Sequence, residues 1–436
     1  MTIADIIDFL QFWKTVGFYK FLRFFWYAIL LEFPRYVVFD MVFLIVFNIQ
    51  RYLRKDAYAL ARHRLFNLNP LVSILVPGKN EGENIYKLSK SLKEQTYKNI
   101  EIIIADDGSD DDTPEICNDL VRNGLIDKYL RSDFSGGKAS VSNLALRYAR
   151  GSLVLLLDAD SSFDRDAIER SLIPFYLDDK VGAVGGNVKV RNQNAGLCTT
   201  LQSIEYLKSI SVGRAVASLL GIYRTVPGAF GAFRKDILDR IGGWDVGPGL
   251  DGDITVKIRK LGYKIRFEKD AICFTTVPED FRRLTKQRLR WYKSLVRFRL
   301  RKHSDVFLPT ENFSFFNFVS FVENVFFNVA LDFKWFIYIV DMFYNAPSLV
   351  KYIIPMNYVL YVIFNFMQYA VVTALTERKE KESSLFLYLP LMPFYMGFYM
   401  RAVRTFAYAQ EFLFKSSYKD PWNPWKVSRR VLKERL

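Results

Sequence analysis

The chain has 436 residues, a formal net charge of +15 and 50% hydrophobic residues, including 39 Phe and 25 Tyr. That aromatic load exceeds the needs of a soluble enzyme and fits helices lying in and across a bilayer, yet 25% of residues are charged, so the charge is segregated along the chain. Three scattered cysteines, Cys117, Cys198 and Cys273, exclude a disulfide framework, and two histidines outside any motif, His63 and His303, leave acid–base chemistry to carboxylates. The basic surplus points to an anionic membrane surface and away from nucleic acid, because basic runs flank apolar blocks and no zinc-finger spacing or RNA-recognition signature occurs.

In chain order, residues 1–64 predict N-terminal membrane or interfacial helices and a basic linker. GFYKFLRFFWYAILL reads as an interfacial amphipathic segment or a short first crossing, and YVVFDMVFLIVFNIQ as a transmembrane stretch with Asp40 near its start. Charges at Arg23, Glu32, Arg35 and Asp40, with no small-residue cleavage site after them, argue against a cleavable signal. The run RYLRKDAYALARHR is cytoplasmic by the positive-inside rule. The following domain is then cytoplasmic, and the protein is expected to be integral to the plasma (inner) membrane.

Residues 65–284 predict a soluble α/β domain. LVSILVP (71–77), IEIIIADDGS (100–109), SLVLLLDAD (152–160) and VGAVGGNVKV (181–190) read as strands. NIYKLSKSLKEQ, DTPEICNDLVRNG and KASVSNLALRYARG read as helices, the second capped by Asp112 or Thr113 and ended by Gly124. The alternation implies a Rossmann-like, mostly parallel sheet, with acids at the carboxyl ends of strands where such sheets bind ligands. Residues 285–312 predict an interfacial amphipathic helix. Residues 313–411 predict transmembrane helices in three apolar blocks, about 313–344, 350–376 and 384–411. Asp332 and Lys334 favour a break in the first block. Residues 412–436 form a basic tail, cytosolic only if an even number of crossings follows residue 291.

Four stations carry candidate chemistry. Asp107, in Ala105-Asp106-Asp107-Gly108-Ser109, follows a strand and could accept hydrogen bonds from a nucleoside. Asp158-Ala159-Asp160 follows the most hydrophobic strand, and two carboxylates at that spacing can hold a hard divalent cation beside a diphosphate. Asp251, with Asp253 beside it as the alternative, can deprotonate an acceptor hydroxyl. After 35 further residues comes Gln287-Arg288-Leu289-Arg290-Trp291. Arginine can hold a diphosphate that gains charge as it leaves, and the indole offers a pyranose an apolar face. At 3.6 residues per turn Gln287, Arg290 and Trp291 share a face and Arg288 points elsewhere, as a bystander or a headgroup contact.

Three Asp stations, then 35 residues, then Q-x-x-R-W, with apolar chain on both sides, resemble the membrane-embedded processive glycosyltransferases of family 2. That group includes the cellulose, chitin, hyaluronan and poly-N-acetylglucosamine synthases. The resemblance implies a cytosolic GT-A domain between membrane helices that form a polymer channel, a UDP-sugar donor, a Mg²⁺ or Mn²⁺ ion, inversion at the anomeric carbon and a growing polysaccharide as acceptor. Residue by residue it implies that Asp107, Lys138, Asp158, Asp160, Gln287 and Arg290 bind the nucleotide sugar, with the metal on Asp160. It makes Asp251 the base and Trp291 an acceptor contact, with Gly228 of VPGAFGAFRKD (226–236) beside the acceptor. Trp425 and Arg429 are similar to a tail element that closes over the nucleotide in some members. Leu250 and Gly252 around Asp251, and Tyr292-Lys293-Ser294 after Trp291, depart from the family pattern. Two other readings are open: a non-processive transferase acting on a lipid phosphate, and a binding module with a degenerate transferase fold.

Overall fold

The computed structural model describes residues 3–245, 249–309, 313–376 and 379–419. Two compact units emerge: Phe47–Glu323 with Phe406–Leu436, and Met1–Val46 with Asn324–Thr405.

The first unit is built on an eight-stranded sheet. Its strands are β1 Val72–Gly78, β2 Ile100–Asp106, β3 Lys128–Arg131, β4 Leu153–Leu157, β5 Ser162–Phe163, β6 Val181–Val190, β7 Phe230–Arg234 and β8 Lys264–Thr275. Their order is β3-β2-β1-β4-β7-β6-β8-β5. Helices α1 (Gly82–Lys93), α2 (Thr113–Arg122), α3 (Lys138–Tyr148), α4 (Leu197–Glu205), α5 (Leu250–Lys260) and α6 (Phe281–Ser294) belong to the same unit. Strand residues alternate between two cores: Ile74, Val76, Ile102, Ile104 and Leu155 pack with Ile85, Leu88 and Leu120, while Leu75, Ile103, Val154 and Leu156 pack with Ala139, Val141 and Ala145. Burial on both faces explains why these strands read as continuous apolar runs.

Among the described residues the sheet is mixed, with four of its seven strand pairings parallel and three antiparallel. β1 runs parallel to β2 and β4, and β6 parallel to β8, but β7 is antiparallel to both β4 and β6, and β5 to β8. β7 is a five-residue strand, Phe-Gly-Ala-Phe-Arg, inside a glycine-bearing segment, and β8 interleaves Lys, Arg, Glu and Asp with its apolar residues. Neither carries the apolar run that marks β1, β2 and β4. The pairing Leu157↔Phe230 sets the chain just before β7 beside the residues just after β4.

Thr113 does not cap its own helix. Asp111 Oδ1 accepts from the Thr113 amide at 3.0 Å, and the Thr113 hydroxyl accepts from the amides of Glu81 (3.0 Å) and Gly82 (2.9 Å), where α1 begins. One buried hydroxyl thus satisfies two of the orphan donors of a neighbouring helix.

The second unit is helical. Phe18–Tyr27, Ala28–Glu32, Pro34–Val38 and Phe39–Leu53 follow one another, with π-helical turns on either side of Phe33 where Pro34 removes a donor. Asp332 and Lys334 do not break their segment: the π-helical Phe326–Ala330 and Leu331–Asn345 run on directly. The reason is that Asp332 is ion-paired, to Arg401 Nε at 3.1 Å and Arg404 Nη2 at 2.6 Å. Arg401 also reaches Glu32 at 3.4 Å, Tyr361 donates to Glu32, and Gln368 donates to Asp40 at 3.1 Å. Charged groups are therefore buried while Ile337 and Val340, each 68% exposed, and Phe398 face outward. Among the described residues, one helix, Pro347–Thr373, is long and apolar enough to cross a membrane.

Replacing Thr113 with Val keeps the shape and leaves the Glu81 and Gly82 amides unpaired. The full chain should lose about 1–2 kcal/mol of stability, read as a lower thermal unfolding midpoint, and Thr113→Ser should retain wild-type stability to within a few tenths of that loss.

Candidate active site at the carboxyl edge of the sheet

The carboxyl ends of β1, β2 and β4 lie side by side, so the acids that follow them converge. Asp107 donates its amide to Gly78 O at 2.9 Å. Its buried carboxylate accepts from Ser135 Oγ (2.7 Å), Gly136 N (2.8 Å) and Gly137 N (3.0 Å). Asp107 therefore braces the turn from which α3 starts, and Lys138 is the first residue of α3. Asp106 is equally committed, to the Ser109 hydroxyl at 2.6 Å and the Tyr129 hydroxyl at 2.7 Å.

Lys138 enters the centre of the site. Its ammonium is ion-paired with Asp158 and lies 3.3 Å from Gly228 O. Asp251 Oδ2 accepts the Gly228 amide at 3.0 Å. A Cβ built on Gly228 would fall 2.6 Å from Asp251 Oδ1 and 2.8 Å from Lys138 Nζ, so glycine is what lets the two charges approach the backbone here. Sequence distance hides this grouping: β4 delivers Asp158, the chain leading into β7 delivers Gly228, and α5 delivers Asp251.

The charges shape one another. Burial pushes the Asp251 carboxyl above its ordinary value, Lys138 pulls it back and Asp158 adds to the rise. Burial also depresses the Lys138 ammonium, but Asp158 and Asp251 outweigh that effect and hold it protonated. Asp160 is pushed up to about 6, by burial first and then by the negative charges of Asp158 and Glu81. Its Oδ2 accepts from Thr275 Oγ1 at 3.4 Å. Among the described residues no group of three or more His, Cys, Asp or Glu is arranged to hold a metal. Two carboxylates two residues apart, one of them still raised by the other's charge, nevertheless fit a hard cation that shares its remaining ligands with phosphate oxygens and water.

Asp253, the alternative base, is enclosed by cations. Two residues on from Asp251, it turns to the other side of α5 and is enclosed by Lys302 Nζ and His303 Nε2, each at 2.7 Å. Burial would raise its carboxyl, but hydrogen bonds from His303 and Lys302 outweigh burial and hold it below the usual range.

Helix α6 carries the Gln-Arg-Leu-Arg-Trp station. Asp280 caps it, accepting from Arg283 N at 2.7 Å, and π-helical turns over Leu295–Lys302 extend it. Gln287 is half-buried, Arg290 is exposed and Trp291 is 40% exposed. The end of α6 packs on the turn that starts α5: Gly249 has φ +89° and its Cβ position lies 2.3 Å from Ser294 Cβ, so a side chain there would part α6 from the segment bearing Asp251.

Arg288 is not a bystander. It is 3% exposed, it donates to Glu205 Oε2 at 3.0 Å, and its guanidinium carbon lies 4.4 Å from the Trp291 ring centroid and 5.9 Å from that of Tyr206. The spacing of Arg288 and Trp291 is i,i+3, a neighbour relation on a helix that the grouping of Gln287, Arg290 and Trp291 passes over. Arg214, on the helical stretch after α4, is a second cation missed from the sequence; burial raises both the Asp251 carboxyl and the Tyr223 hydroxyl, and the charge of Arg214 opposes each rise. Trp425 and Arg429 lie outside the described residues.

The profile of Glycosyl transferase family 2 matches residues 73–242, a span ending before Asp251 and α6. The poly-beta-1,6-N-acetyl-D-glucosamine synthase of Staphylococcus epidermidis is 35% identical over 222 residues, 50% of this chain and 53% of that protein. The Staphylococcus aureus synthase is 33% identical over 261 residues, 59% of this chain and 63% of that protein. The chain thus spans between half and two thirds of the length of these curated relatives. In fold it is similar to a mannosyltransferase from Pyrobaculum calidifontis solved with GDP-Man and Mn²⁺, with a TM-score of 0.55 at 20% identity over 86% of this chain and 99% of that one. Residues 73–242 thus match the Glycosyl transferase family 2 model within a mixed-sheet, GT-A-like fold, and the chain is similar in sequence to the poly-beta-1,6-N-acetyl-D-glucosamine synthases.

Proposed function

We propose that the protein is a membrane polysaccharide synthase. It transfers a sugar from a UDP-sugar, with inversion, to the end of a growing β-linked polymer, and passes that polymer across the plasma (inner) membrane from a cytoplasmic catalytic domain. The observation that carries the reading is the meeting of Lys138, Asp158 and Asp251 around Gly228, where the Asp251 carboxyl is raised above its ordinary value by burial and by the charge of Asp158. The relatives named above favour a polymer over a single transferred sugar and make N-acetylglucosamine the first sugar to test.

In this mechanism Asp251 takes the proton from an acceptor hydroxyl. The hydroxyl oxygen attacks the anomeric carbon from the face opposite the diphosphate, forming the new glycosidic bond. The carbon–oxygen bond to the diphosphate breaks, and its electron pair leaves on the nucleoside diphosphate. A raised pKa makes Asp251 a better match for such a proton transfer near neutral pH. Lys138 orients Asp158 and offsets the negative charge of the site. Gln287 and Arg290 receive the diphosphate, Asp107 braces the turn at the nucleoside, and Gly228 leaves room for the acceptor beside the base. Asp160, with Asp158 beside it, would hold Mg²⁺ or Mn²⁺, which supplies charge neutralisation to the departing diphosphate.

The second unit supports the membrane part of the reading. Buried ion pairs with apolar side chains outside are what a bilayer solvent selects, since charges there turn inward to one another. On this reading its helices, beginning with Pro347–Thr373, form the route out for the polymer.

The test is radiolabelled UDP-sugars, UDP-N-acetylglucosamine first, given to the purified full chain, with product size and UDP release measured together. Polymer supports the reading, and a single sugar on a lipid replaces it with a non-processive transferase. Asp251→Asn should retain donor binding and lose about 10²–10⁴-fold in transfer rate; near wild-type turnover would place the base elsewhere.

Asp160 gives a pH-dependent expectation. Its folded pKa is raised, so the group is neutral in both states below about 4 and imposes its penalty as pH rises through about 6. In EDTA, Asp160→Asn should therefore stabilise the protein above pH 6, by about 1–2 kcal/mol after allowance for partial exposure, and leave it unchanged at pH 4. Thermal midpoints across that range check the sign, and Mn²⁺ with UDP should raise the midpoint of the wild type alone.

A further inference from the structure

The reading of Trp291 as an acceptor contact leaves one question open, namely what fixes the angle of its ring. Trp291 sits near the end of α6 with 40% of its surface exposed, and an indole so placed has torsional freedom unless something covers a face. Arg288 covers it, at 4.4 Å from the ring centroid. Arg288 is itself fixed, through its 3.0 Å ion pair with the buried Glu205 at the end of α4 and by the Tyr206 ring 5.9 Å away. We propose that Arg288 is a positioning residue: anchored by Glu205, it holds one face of Trp291, sets the tilt of the ring and leaves a single face for the terminal acceptor sugar.

The residue types suit the task. A guanidinium is planar, stacks on an aromatic face and stays charged at any working pH, so the clamp does not loosen with protonation. Glu205 supplies the opposite charge that makes its burial tolerable. Lysine would keep the charge and lose the plane. A sugar stacked on a fixed face presents its hydroxyl at a fixed angle to Asp251, whereas on a swinging ring it yields to water as the nucleophile. Arg288 therefore acts on the choice between acceptor and water while the donor-binding residues stay as they are. The inference rests on the transferase reading above, and its test is chosen to fail separately from it.

Two variants of the full chain carry the test. Arg288→Lys removes the planar group, and Glu205→Gln/Arg288→Met removes both charges together so that no buried carboxylate is stranded. The first measurement is the near-ultraviolet circular dichroism owed to Trp291, taken as the difference on adding Trp291→Phe in each background. It should be strong in the wild type and several-fold weaker in both variants. The second measurement uses UDP-N-acetylglucosamine with a short β-1,6-linked N-acetylglucosamine oligosaccharide. The ratio of transfer to hydrolysis should fall about tenfold, the equivalent of a desolvated cation–π contact, with the acceptor KM raised and the donor KM for hydrolysis unchanged. An unchanged Trp291 signal in the double variant overturns the proposal, as does an unchanged ratio, or a parallel rise in both KM values that marks general damage. If the wild type turns over no nucleotide sugar, the proposed function falls, and the dichroism alone decides whether Arg288 holds the ring.

Discussion

The site depends on an electrostatic bargain around one glycine. Two carboxylates, Asp158 and Asp251, share the neighbourhood of a single ammonium, Lys138, against the backbone of Gly228. Without Lys138 the carboxylates would repel each other and burial would neutralise one of them. With a side chain at position 228 the three could not close. The brace of Asp107 on the turn before α3, the antiparallel entry of β7 and the packing of Gly249 on Ser294 all serve this point, because each delivers one member of the group or the helix beside it.

The same logic separates acids left with raised carboxyls from acids enclosed by hydrogen-bond donors. Asp253 and Asp106 are acids near the site, but each is enclosed by hydrogen-bond partners. Asp251 and Asp160 are the acids whose carboxyls are raised, and both face cations or acids from other elements instead of a closed shell of donors. Perturbation of this kind costs stability and is retained where a ligand relieves it.

Much of this was legible in the sequence. The strands β1, β2, β4 and β6 are buried on both faces, so each reads as a mostly apolar run, unbroken in β4 and interrupted by single polar residues in β1 and β2, and such runs are easy to find. The acids at their ends follow from the same reading. β7 and β8 were hidden because one is five residues with a glycine and the other carries charges at intervals, and the direction of a strand leaves no mark on composition. Thr113 was read as a cap for its own helix because capping is local in sequence, while its hydroxyl is used by a helix thirty residues upstream. Arg288 was set aside by a helical wheel that grouped Gln287, Arg290 and Trp291, although an i,i+3 partner is as near as an i,i+4 one. Asp332 suggested a break because its partners, Arg401 and Arg404, lie far along the chain.

The placement of β7 has a consequence for how the domain is made. Until β7 arrives, β4 is an open edge of the sheet, and its five residues, Leu-Val-Leu-Leu-Leu, present bare amides and carbonyls along an apolar strand, the kind of edge that pairs with other chains. The strand that covers it comes more than seventy residues later, so loop closure delays it relative to the local β1–β2 and β2–β3 units. Covering the edge and bringing Gly228 to Asp158 are the same event. A chain still exposed to aggregation during synthesis is therefore one without an assembled site, and a chain with an assembled site has already closed its most adhesive edge.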